Sequence, residues 1–117
     1  MSFLGKLFGR PSRQRARVTF DAECVIRTVP DGKTETVRWR DLQEVDILTT
    51  DEGPYVDDVI WMLQGKDGAG CAVPSETEGM KDLLPRLQQL PGFDNEAVIK
   101  AMGSTNHARF VCWRRAL

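Results

Sequence analysis

A chain of 117 residues, 41% hydrophobic and 28% charged, has the size and composition of a single folded domain and is too apolar to stay wholly disordered. Its formal net charge of -1 hides an asymmetry: Lys6, Arg10, Arg13, Arg15 and Arg17 crowd the start, leaving 11 basic against 17 acidic residues in the rest, a balance of about -6. An acidic body of that kind excludes a general nucleic-acid binder, which needs clustered Lys and Arg on its folded surface.

Residues 1–17 read as a flexible basic tail ahead of one α+β domain over 18–117, because Gly5, Gly9 and Pro11 interrupt it. Phe3, Leu4, Leu7 and Phe8 would share one side of a helix, with Lys6 and Arg10 on another, which suits an interfacial membrane contact. Burying four such side chains and placing the basic residues near anionic lipid returns on the order of 10 to 15 kcal/mol. Ordering the segment costs a similar ~15 kcal/mol, so any attachment to the inner membrane surface is expected to be weak and reversible.

From Val18 the pattern alternates, with Val18, Phe20, Ala22, Cys24 and Ile26 on one face, as in a half-buried strand. Pro30-Asp31-Gly32-Lys33 predicts a hairpin turn, with a return strand over 34–40 that points Val37 and Trp39 inward. The same parity resumes at Val45 and Ile47 after Asp41-Leu42, which suggests a bent or bulged pair. An acidic loop follows, and Val59 to Leu63 suits a central strand. Gly65 to Gly70 then connects to Cys71-Ala72-Val73 as a second hairpin.

Ser75 and Glu78 have capping-box spacing, so a helix is expected to follow with Met80, Leu83, Leu84 and Leu87 on one face and a kink at Pro85. Asp94 caps a second helix whose Ala97, Val98, Ala101 and Met102 face inward, with Gly103 as its stop. Arg109 to Arg114 alternates again and reads as a last strand. The expected whole is a curved antiparallel sheet of five or six strands with two helices packed on it.

Candidate chemistry is sparse. His107 is the only histidine, so every site needing two imidazoles is excluded and one general base is left, with Ser104 or Cys112 as its nucleophile in a small hydrolase or transferase. If the last strand already includes His107, the odd separation places Cys112 on the opposite face. Gly65 to Gly70 lacks the arrangement of a phosphate loop, and Asp51, Glu52, Asp57 and Asp58 lack the spacing of a calcium loop, so neither a cofactor nor a metal is expected. Cys24, Cys71 and Cys112 are odd in number without a C-x-x-C pair, which reads as buried thiols in a reducing cytoplasm. No apolar run reaches the roughly 18 residues needed to span a bilayer, and no signal-peptide core is evident.

The stretches Trp61-Met62-Leu63-Gln64-Gly65, Gly70 to Pro74, Leu90 to Asn95 and Ala108 to Trp113 resemble a group of small bacterial proteins to which no activity is assigned. Val37-Arg38-Trp39-Arg40-Asp41-Leu42-Gln43-Glu44-Val45 resembles the strand-turn-strand phrase of pleckstrin-homology-like domains. That resemblance implies a curved sheet and a role in binding peptides or phosphoinositides. Trp39, Trp61 and Trp113 all fall in expected strands and read first as core, the alternative being that one is exposed beside the acidic loop and anchors a partner. The leading expectation is a non-enzymatic binding or adaptor domain that contacts another protein, with Asp57, Asp58 and Trp61 as the contact region.

Overall fold

The structure, a computed structural model, describes residues 16–50, 59–104 and 106–116. Strands β1 (Arg17–Phe20), β2 (Cys24–Thr28) and β3 (Thr34–Arg38) form one antiparallel sheet in the order β1-β2-β3. Strands β4 (Leu42–Thr49), β5 (Val59–Gly65), β6 (Gly70–Pro74) and β7 (Ala108–Arg114) form a second, in the order β6-β5-β4-β7. Helices α1 (Met80–Gln88) and α2 (Asn95–Met102) lie between β6 and β7 in the chain. The expected α+β class with two helices holds, but the single sheet of five or six strands does not. A 3-10 turn at Trp39–Asp41 redirects the chain between β3 and β4, so the described strands divide into three and four.

The expected strand from Val18 to Ile26 is instead a hairpin. The Asp21 carboxylate accepts the N–H groups of Glu23 and Cys24 at 2.8 and 2.9 Å, which closes a tight turn and returns the chain antiparallel. The two predicted hairpins are present. Gly32 takes φ 93° between β2 and β3, while Asp67 at φ 57° and Gly68 at φ 81° give the left-handed pair that suits a two-residue turn between β5 and β6.

Register explains the core. Across the second sheet Val73, Trp61, Ile47 and Phe110 stand in one row, and Cys71, Leu63, Val45 and Trp113 in the next. Val25 and Val37 pair across β2 and β3 and join the same core, with Leu42, Leu83 and Leu87 also buried. Each such side chain contributes about 1.5 to 3 kcal/mol of burial, so the sandwich of sheets and helices rests on this cluster. α1 packs on β1, and α2 packs on β7 and β4.

The helices depart from expectation at their ends. The residue before α1 is Gly79, at φ 96° with no side-chain cap, so Ser75 and Glu78 do not form the expected capping box. Pro85 does not divide α1: its ring is exposed, the carbonyl it leaves without a helical partner belongs to exposed Lys81, and Leu83 and Leu87 are seated in the core. Asp94 does cap α2, accepting from Glu96 and Ala97 N–H. Met102 is 51% exposed rather than inward, and beside it Ile99 is 71% exposed. Ala97 and Ala101 are the buried residues of α2, and Val98 packs half-buried against the same core, as expected.

Candidate binding cleft at Trp39

Strand alternation puts Val37 and Trp39 inward and Arg38 and Arg40 outward, and the 3-10 turn that begins at Trp39 keeps both guanidinium groups exposed. The indole is fixed on several sides. Its Nε1–H donates to Asp21 O at 2.8 Å, and Phe20 meets the ring edge-on at 6.4 Å between centroids. The Arg86 guanidinium, from α1, lies 4.0 Å over the ring centroid. Trp39 N–H donates to Glu23 O at 2.9 Å, tying the β1–β2 turn to the β3–β4 turn. Arg115 donates to the carbonyls of Trp39 and Leu42 at 2.9 and 2.7 Å, holding the same corner from its other side.

These two turns enclose a cleft of about 370 Å³ lined by Ala22, Glu23, Arg38, Trp39 and Arg40. Among the described residues, neither Arg38, Arg40 nor Arg86 takes part in an ion pair. The neighbouring Asp21 carboxyl is held below the ordinary carboxylate range by the N–H groups of Cys24 and then Glu23, so the turn that shapes the wall stays ionised and intact at neutral pH. The cleft therefore joins a rigid aromatic floor to exposed cations on an acidic body.

A second polar cluster lies on the face of the four-stranded sheet away from the core. There Asp46 pairs across the strands with Met62 and Val111, and Glu44 with Gln64 and Arg114. Asp46 Oδ2 accepts from Gln64 Nε2 and Arg109 Nε, each at 2.8 Å, and Arg109 also reaches Glu44, which Arg114 engages at 2.8 Å. Burial first, and then the neighbouring Glu44, push the Asp46 carboxyl up to about 6. The two carboxylates and two arginines neutralise one another, which makes the cluster a structural network rather than an open site.

The residues singled out by sequence fall elsewhere. Trp61 is 1% exposed and stands in the core row between Ile47 and Val73, so it does not present the partner-facing surface expected of it. Its odd position on β5 gives it the parity of Leu63, and that parity decides the matter. Asp57 and Asp58, like Phe3, Leu4, Lys6, Leu7, Phe8 and Arg10, lie outside the described residues. The acidic residues Asp51 and Glu52 do too.

The candidate catalytic groups are dispersed. His107 is exposed and precedes β7, so the parity argument that began the strand at His107 loses its premise. Ser104 Oγ is engaged with Thr49 Oγ1 and Asn106 O, both at 3.3 Å. Cys112 is buried, and burial pushes its thiol up to about 11, where little nucleophilic thiolate exists at neutral pH. No hydrogen bond joins His107 to Ser104 or Cys112 among the described residues.

Arg38 and Arg40 were missed by the sequence reading, although Arg-Trp-Arg within a body of net charge near -6 was the available signal. Comparison with protein-family models, curated proteins and solved structures finds no match to this chain.

Proposed function

We propose that this chain is a non-enzymatic binding domain that engages another protein at the cleft floored by Trp39. The observation that carries the reading is the cleft itself: about 370 Å³, lined by Ala22, Glu23 and a fixed indole, with exposed Arg38 and Arg40 as its sequence neighbours in the same lining. Aromatic and arginine side chains are the residue types that dominate protein contacts, and the indole here is already fixed by Asp21 O and Phe20. The phrase that resembles pleckstrin-homology-like domains, Val37 to Val45, includes this floor, and peptide binding by such domains supports the same reading. On this view the domain works in the cytoplasm, with Phe3, Leu4, Lys6, Leu7, Phe8 and Arg10 available for a weak contact with the inner membrane surface.

The alternative, a small hydrolase or transferase built on His107, gains nothing from a geometry in which its nucleophile candidates are occupied or buried. A photo-crosslinking amino acid placed at Ala22 in the full chain, expressed in its own cells, tests the binding reading. Crosslinking to another protein at Ala22, and none from the same probe at exposed Lys100 on α2, is the expected outcome. Equal capture at the two positions would remove the cleft from consideration.

A further inference from the structure

We infer that the occupant of the Trp39 cleft is an acidic segment of the partner, held through its carboxylates by Arg38 and Arg40. The inference rests on the protein-contact reading above and adds the chemistry of what is bound. The cleft's lining holds two arginines against one glutamate, Glu23, with ionised Asp21 in the adjoining turn, and Arg86, outside that lining, lies 4.0 Å over the ring that forms the floor. With Arg38, Arg40 and Arg86 set aside, the described residues after Arg17 carry 13 acidic against 8 basic groups, so the rest of the described domain has the opposite sign. On the described domain an acidic chain is therefore favoured at the cleft over the acidic balance around it, which gives orientation as well as affinity.

Other occupants fit less well. A cationic or methylated-lysine group would need the indole face, but Arg86 already lies over that ring and would repel it. A neutral aromatic ring finds Trp39 only 9% exposed, with Phe20 against its edge, so there is little face to stack on. A compact dianion such as phosphate concentrates charge close to Glu23 in the wall. Carboxylates spread along an extended chain divide that charge between Arg38 and Arg40, and each planar guanidinium can take a carboxylate through two parallel hydrogen bonds.

The test uses the full chain with a fluorescein-labelled decaglutamate peptide, its glutamine counterpart, and inorganic phosphate as competitor, read by fluorescence anisotropy. Decaglutamate should bind and decaglutamine should not, and raising salt from about 50 to about 500 mM should weaken binding at least about tenfold. The double variant Arg38→Gln, Arg40→Gln should lose at least about tenfold in affinity while keeping the wild-type melting temperature, because both side chains are exposed. Equal binding of decaglutamate by the double variant would place the contact elsewhere and overturn the assignment. Displacement by phosphate as effective as by unlabelled decaglutamate, charge for charge, would replace the acidic segment with a phosphate ligand. If decaglutamate fails to bind while the Ala22 crosslink to a protein persists, the acidic occupant is wrong and the protein-contact reading survives; if both are absent, both fail.

Discussion

Asp46 carries an unusual burden for a residue on the outward face of a sheet: it has no exposed surface, and its Oδ1 has no hydrogen-bond partner among the described residues. Its carboxyl is pushed up to about 6, above the 3.8 from which it starts. The folded state therefore holds this proton more tightly than the unfolded chain does, and the stability that follows is fully present below about pH 4 and is lost as pH rises through 6. Asp46→Asn carries no such charge, so its melting temperature relative to wild type should shift in favour of the variant between pH 5 and pH 7. A difference that stays flat across that range would mean that Arg109 and Gln64 fully offset the burial.

Trp61 gives a second residue-scale outcome. As a core side chain, its replacement by Ala should cost about 3 to 5 kcal/mol of stability, read as a fall in denaturation midpoint, whereas a surface contact residue would leave the midpoint nearly unmoved. The thiols give a third. Burial pushes Cys71 and Cys112 up to about 11, and it also raises half-buried Cys24, so a thiol reagent at neutral pH should label the native protein slowly, at Cys24 first. Rapid modification of Cys112 in the native state would contradict its packing in β7.

Among the elements, local signals were legible only in part: the Ser75 and Glu78 capping box and the division of α1 at Pro85 are absent, while other local signals hold. Asp94, Pro30 to Lys33 and the Gly65 to Gly70 connection act through bonds to near neighbours, and each does what its residue type predicts. Other misses combined a local signal with distant partners. The alternation from Val18 to Ile26 is satisfied equally by one long strand or by two short ones, and the choice was made by one Asx turn at Asp21 and by the docking of β1 against α1. Met102 was assigned inward by helical period alone, yet the small side chains of Ala97 and Ala101 let α2 approach closely and leave its neighbour outside.

The start of α1 shows the same lesson with a testable edge. Val18 N–H donates to Glu78 O at 2.8 Å, which brings Gly79 so close to β1 that an added Cβ would collide with Val18 O, in a backbone conformation at φ 96° that side chains disfavour. Gly79→Ala should therefore destabilise by at least about 1 to 3 kcal/mol, measured by chemical denaturation. A neutral result would show that β1 and α1 can separate without cost.

At the scale of the molecule, composition and periodicity disclosed the α+β class and the two helices, but not that the strands would split into sheets of three and four. The split depends on a corner at Trp39–Asp41 that is held by groups far apart in sequence: Glu23 O, Asp21 O and the Arg115 guanidinium. The candidate cleft was invisible for the same reason, since its two walls come from turns that only the folded chain brings together. Arg38 and Arg40 look like ordinary outward residues until Ala22 and Glu23 stand opposite them.

The order β6-β5-β4-β7 has a consequence during synthesis. β4 pairs with β5 almost at once, but its other edge waits for Ala108–Arg114, with both helices translated in between. A nascent chain thus presents a hydrogen-bonding edge flanked by Val45 and Ile47 for the whole interval, the kind of exposed ladder that recruits strands from other chains. Ribosome-bound forms stopped before Ala108 should be the aggregation-prone ones, and those carrying β7 should be protected.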